Sequence, residues 1–184
     1  MRVLIINGRL INPSTRFDGK KDILIEDGII SQIADRIESS ADTLIDARGQ
    51  LVLPGLIDIH VHLRQPGRED LETIVGGAEI AAASGFTTIC AMPNTTPPPD
   101  SPETIQYILD EGRKSPIEVL PVATITQGRK GVSLADMELL AKSGASSFSD
   151  DGSPVNDSGV MRKALEESRK LNLPVLAHEE DFSL

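Results

Sequence analysis

At 184 residues, with 39% hydrophobic and 25% charged residues, the chain has the size of one domain, or of one small domain plus part of another. Its formal net charge of −10 excludes a general nucleic-acid surface, which needs clustered Lys and Arg, and no apolar run approaches the ~20 residues that would cross a membrane. The single Cys90 excludes an internal disulfide framework and fits a reducing cytoplasm. The opening Met1-Arg-Val-Leu-Ile-Ile is broken at once by Asn7, Gly8 and Arg9, so no secretory signal is expected. The short basic pairs, Arg129-Lys130 among them, are scattered, and most of them read as solvated faces or helix ends.

Residues 1–50 read as a small β-rich unit. Val3 to Ile11, Asp22 to Ala34 and Thr43 to Asp46 are dense in β-branched residues, and Asp27-Gly28 is a two-residue hairpin signal, giving three or four short strands. Residues 51–184 change to strand, loop, helix, repeated, the pattern of βα units around a parallel sheet. The first strand ends at His62, on an apolar run that reads as buried. A helix is predicted from about Leu71 to Ala83, with Ile74, Ala78, Ile80 and Ala81 near helical spacing and Gly85 as its C′ residue. The second strand, Phe86 to Met92, leads through a Pro-rich loop to Ser101, an N-cap followed by Pro102. Ile117 to Val122 is the third strand, Ser133-Leu-Ala-Asp136 resembles a capping box, and Ala145 to Ser149 is the fourth strand. A helix from Val160 to Leu171 and a fifth strand from Pro174 to His178 follow. The expected fold class is α/β: a (β/α)8 barrel of TIM type, incomplete at about five units where a full barrel takes eight strands and ~250 residues.

Every one of the three histidines falls at the C-terminal end of a proposed parallel strand, His60 and His62 on the first and His178 on the fifth. That rim is where barrels place their active sites. Side chains two apart on a strand share a face, so His60 and His62 can converge on one cation; the alternative is two partly buried histidines with ordinary hydrogen-bond partners. Asp151 is delivered to the same rim just past the fourth strand. Either Asp150 or Asp151 could ligate while the other caps or turns the chain. Arg64 and Asn94, at adjacent strand ends, suit a grip on a substrate carboxylate, against the plainer readings of a loop charge and a turn residue.

Four ordered motifs carry a resemblance over essentially the whole chain: Asp58-x-His60-x-His62-Leu-Arg64-x-Pro66-Gly67, Ala91-Met-Pro-Asn94-Thr95, Phe148-Ser-Asp150-Asp151-Gly152 and Ala177-His178-Glu-Glu-Asp181. Together they resemble the bacterial class I dihydroorotases of the amidohydrolase superfamily. The resemblance implies a metal-dependent hydrolase barrel carrying a β-sandwich, with a zinc pair at its mouth. His60 and His62 would hold the more buried ion, Asp151 would bridge both in place of the superfamily's carboxylated lysine, and His178 would bind the second. Arg64 and Asn94 would bind the substrate carboxylate.

The implied reaction is reversible hydrolysis of (S)-dihydroorotate to N-carbamoyl-L-aspartate in pyrimidine synthesis, by water activated between the two metals. The implied partners are a small anionic substrate and either a second copy of the chain or aspartate transcarbamoylase. The family's remaining metal-binding histidine and its catalytic aspartate belong to later strands, so no catalytic residue is expected before Leu184 and these 184 residues alone are expected to be inactive. Glu179 stands where relatives often have cysteine, and Gln65 replaces a common glutamate. The rival readings are an allantoinase or hydantoinase, and a silent dihydroorotase-like subunit that supports aspartate transcarbamoylase.

Overall fold

The computed structural model describes residues 1–181. The chain divides into two compact units, Met1–Pro54 and Gly55–Leu184.

The first unit holds seven strands rather than three or four. β1 (Arg2–Ile6), β4 (Asp22–Glu26), β5 (Ile29–Ala34) and β6 (Thr43–Asp46) form one sheet in the order β5-β4-β1-β6. β2 (Arg9–Asn12), β3 (Phe17–Lys20) and β7 (Leu51–Val52) form another, ordered β3-β2-β7. The run from Val3 to Ile11 is two strands because Asn7 takes a left-handed φ of 65° and breaks the pleat. Asp27 and Gly28 turn the β4–β5 hairpin with φ of 50° and 82°, both positive as a type I′ turn requires. Leu51–Val52 pairs in parallel with β2, which ties that segment to the first unit.

The second unit is built on a four-stranded parallel sheet, β11-β10-β9-β8, from β8 (Leu56–Val61), β9 (Phe86–Ala91), β10 (Glu118–Ala123) and β11 (Ser147–Phe148). A fifth segment joins beside β11 through a bridge between Phe148 and Val175. There Phe148 N–H donates to Pro174 O at 3.0 Å and Leu176 N–H to Phe148 O at 2.8 Å. Strands and helices alternate along the chain, giving the curled start of a (β/α)8 barrel. β8 is not buried as its apolar run suggested. Among the described residues it pairs with β9 alone, at the sheet's edge, and Leu56, Ile57 and Ile59 are exposed.

The helices show how local signals are read and misread. In α1 (Ile74–Ala83) the Thr73 hydroxyl accepts from Gly76 N–H, and Ile74, Gly77 and Ala78 are buried while Ile80 points to solvent. Ser101 caps α2 (Pro102–Gly112) as its position predicts. The Ser133–Asp136 capping box is not formed. Leu134 instead bridges to Thr126 in extended conformation, and Asp136 is itself the N-cap of α3 (Met137–Lys142), accepting from Leu139 N–H. α4 (Ser158–Leu171) starts on Asp157 and ends on Asn172 in the left-handed conformation. One core gathers Ile105, Ala123, Leu140, Phe148 and Ala164, and a second gathers Leu63, Ile74, Ile89 and Ile108. Among the described residues no helix is long and apolar enough to cross a membrane.

Asp150 locks β11 to the loop after β10. Its side chain accepts from Ile125 N–H at 2.8 Å, from Thr126 N–H at 3.1 Å and from the Thr126 hydroxyl, and the residue is 1% exposed. Burial pushes the Asp150 carboxyl above the usual carboxylate range, while the Thr126 and Ile125 donors and the Arg129 charge pull it back. Asp150→Ala orphans two buried N–H groups and is expected to cost about 2–4 kcal/mol. Asp150→Asn keeps an acceptor for them and is expected to cost less than half as much. Urea unfolding compares the two; equal losses would show that the donors are satisfied without Asp150.

Candidate metal centre

The parallel register lines up the strand ends on one rim. His60 and His62 lie at the end of β8, two residues apart, with ring centroids 5.0 Å apart and planes crossing at 76°. Asp58 Oδ1 accepts from His60 N–H at 3.0 Å and steadies the strand end. Asp151 follows β11, and its carboxylate faces both rings. His60 Nε2 lies 3.5 Å from Oδ1 and His62 Nε2 lies 3.6 Å from Oδ2. The ligand atoms of His60, His62 and Asp151 all fall within 4.8 Å of one another. His178, from the fifth segment, brings Nδ1 to 3.3 Å from Oδ1 of the same carboxylate.

These separations suit a cation better than they suit direct hydrogen bonds. Ligands held at about 2.1 Å around a tetrahedral ion sit roughly 3.4 Å from each other, and the three imidazole-to-carboxylate distances of 3.3, 3.5 and 3.6 Å bracket that value. The donor chemistry agrees, since imidazole nitrogens and a carboxylate are the usual ligands of a divalent transition ion. Asp151 is 6% exposed, and among the described residues no Lys or Arg head reaches its side-chain oxygens.

Asp151 is held by its backbone. Its N–H donates to Ser149 Oγ at 3.0 Å, and the Arg129 guanidinium donates to its carbonyl oxygen and, at 3.3 Å, to Ser153 Oγ. The basic pair Arg129-Lys130 is therefore not simply a solvated face. Arg129 is half-buried, and the only hint in the sequence was its place between Gly128 and Gly131 in a tight turn. Burial lowers the affinity of its guanidinium for the proton, and the charges of Asp150 and Asp151 offset this.

The residues expected to grip substrate part company. Asn94 touches the cluster, its side-chain amide lying against His62 Nδ1 and, at 3.5 Å, against Asp151 Oδ2. Arg64 is half-buried with a left-handed φ of 54°, and among the described residues its guanidinium has no hydrogen-bond or ion-pair partner. Glu180, two residues past His178, accepts from or faces its Nε2 at 3.0 Å, a contact that sequence reasoning missed because nothing in the Glu179-Glu180-Asp181 run sets one carboxylate apart.

Residues 49–184 match the family model described as dihydro-orotase-like. Over 185 aligned positions the chain is 47% identical to the dihydroorotase of Aquifex aeolicus, an alignment covering 100% of this chain and 44% of that protein. The dihydroorotase of Syntrophotalea carbinolica gives the same identity and coverage. The chain thus spans less than half the length of the curated relatives it matches. In fold it is similar to the L-hydantoinase (dihydropyrimidinase) of Arthrobacter aurescens, with a TM-score of 0.80 at 22% identity over 98% of this chain and 41% of that one. The sequence match runs through both strand-end histidine motifs and the Asp150-Asp151 turn, and the chain belongs to the dihydro-orotase-like family.

Proposed function

We propose that the protein carrying this chain is a dihydroorotase, a zinc-dependent cyclic amidohydrolase of the cytoplasm that interconverts dihydroorotate and N-carbamoyl-L-aspartate. The observation that carries the reading is the convergence of His60, His62 and His178 on the buried Asp151 carboxylate, in a chain 47% identical to curated dihydroorotases. The buried Cys90, whose thiol burial pushes up, suits a reducing compartment.

In this reading His60, His62, Asp151 and His178 hold two zinc ions. When bound, the pair polarises the ring carbonyl and acidifies water beside it. The chain's own residues do the holding and the orienting. Asp151 turns Oδ1 toward His60 and His178 and Oδ2 toward His62, so both oxygens of the carboxylate would be open to ions held by these imidazoles. The Ser149 and Arg129 contacts keep that backbone in place. Arg64, with no carboxylate among the described residues engaged, grips the carboxylate of the substrate in a two-point pair, and Asn94 adds an amide beside it. The proton for the leaving ring nitrogen is assigned to a carboxylate of a later strand rather than to any residue here.

Turnover of dihydroorotate, allantoin and hydantoin by the full-length protein tests the assignment. Dihydroorotate is expected to be preferred, with activity lost on chelation and restored by zinc. Preference for either neutral ring would overturn it.

Asp151→Ala is expected to lower kcat/KM by more than about 100-fold, exceeding the usual cost of losing a residue that merely supports a ligand, and to leave at most one ion per site by elemental analysis. Two ions retained with full activity would rule out the bridging role. Arg64→Lys keeps the charge but not the planar fork. It is expected to raise the KM for dihydroorotate by about 10-fold, roughly 1.4 kcal/mol, with little change in kcat. An unchanged KM would remove Arg64 from the substrate site.

A further inference from the structure

We propose that Asn94 and Glu180 are positioning residues that set opposite tautomers on two of the metal-facing imidazoles. His62 and His178 turn different ring nitrogens to the Asp151 carboxylate. His62 presents Nε2, 3.6 Å from Oδ2, and His178 presents Nδ1, 3.3 Å from Oδ1. A neutral imidazole binds a cation only through the nitrogen that lacks hydrogen, so His62 must carry its proton on Nδ1 and His178 on Nε2.

Each of those remote nitrogens has a partner. His62 Nδ1 lies 3.0 Å from Asn94 Oδ1 and 2.8 Å from Asn94 Nδ2, and only one of the two contacts can be a hydrogen bond for a given tautomer. Asp151 decides between them. Asn94 Nδ2 lies 3.5 Å from Asp151 Oδ2, which can only accept from it when ionised, so the amide nitrogen belongs on that side. The amide oxygen is then the group that meets His62 Nδ1, and it accepts the ring N–H. The reversed amide would set its oxygen against the carboxylate oxygen, two acceptors with no hydrogen between them. At His178 the choice is simpler. Glu180 Oε2 lies 3.0 Å from Nε2 and can only accept when ionised, which leaves Nδ1 bare toward Asp151.

Asn94 therefore joins two ligands, His62 from β8 and Asp151 from the turn after β11, while itself standing beyond β9. This role is additional to the contact with the substrate carboxylate proposed above, and the two have different signatures. The inference rests on the metal-site reading above and not on the choice of substrate.

The test uses the full-length protein. Zinc affinity by competition with a chromogenic chelator is expected to fall about 10- to 100-fold in Asn94→Ala, the usual cost of losing the partner of a ligating histidine. It is expected to fall in the same range in Glu180→Ala, with Glu180→Gln recovering most of the loss through its remaining acceptor. The native protein also answers without any variant. Ring ¹⁵N shifts of labelled histidine, before and after zinc loading, are expected to report Nδ1–H for His62 and Nε2–H for His178. Either opposite tautomer overturns the proposal. So does an Asn94→Ala protein that binds zinc as tightly as the native one and changes only the KM for dihydroorotate. The zinc titration contains no substrate, so a wrong substrate assignment would show in the turnover assay alone.

Discussion

Burying a carboxylate is costly unless donors or a cation come to it, and the rim of this barrel is arranged around one such group. Asp151 is 6% exposed, yet among the described residues no Lys or Arg head lies on its side-chain oxygens. Three imidazoles and one amide surround it instead. Neutral imidazoles cannot offset the charge of a carboxylate, and protonated ones would repel each other at this spacing. A divalent cation resolves the conflict, because it uses the imidazole lone pairs and the carboxylate at once. The parallel sheet makes the arrangement possible by bringing the ends of β8, β9 and β11 and the fifth segment to the same side.

Asp150 and Asp151 are neighbours with opposite duties. Asp150 is saturated by the backbone and hydroxyl donors of Ile125 and Thr126, so it holds the loop after β10 and has little left to offer an ion. Asp151 takes almost nothing from the protein with its oxygens and is anchored through its main chain. Chemistry alone left open which of the two would ligate. The distribution of donors separates them, and that distribution depends on residues more than twenty positions away.

Much of this was legible in the sequence where a short-range rule applied. The period of two in Asp58-x-His60-x-His62 put both rings on one face, and Ser101-Pro102 marked a helix start that the structure keeps. The Asp27-Gly28 turn was visible for the same local reason. What the sequence hid was set by distant partners. Ser133 to Asp136 matched a capping box, but pairing of Leu134 with Thr126 held the segment extended and left Asp136 to cap instead. The apolar run of β8 signalled burial, but among the described residues β8 pairs with β9 alone and its Leu56, Ile57 and Ile59 stay exposed. Arg129 looked like a surface charge because only the folded turn carries it to the Asp151 carbonyl. Asn94 was legible as a residue of the rim, whereas its hold on His62 depends on the approach of the β9 end to the β8 end.

The short reach of aspartate accounts for how the turn is built. A longer side chain could reach the three imidazoles from a loosely placed backbone, but a carboxylate attached directly to Cβ must be delivered by the main chain. The polar contacts of residues 149–153 follow from that requirement. Ser149 receives the Asp151 N–H and donates its own hydroxyl to Leu176 O at 2.6 Å, which couples the turn to the segment bearing His178. Arg129 ties the Asp151 carbonyl to Ser153, and Asp150, the residue before it, is pinned to the neighbouring loop by the Ile125 N–H. Gly152, at a φ of 75°, lets the chain turn away immediately after the ligand. The side chain that faces the imidazoles is thus the free end of a backbone clamped on both sides. An aspartate needs this rigidity because it has no flexible stem with which to correct an error in placement.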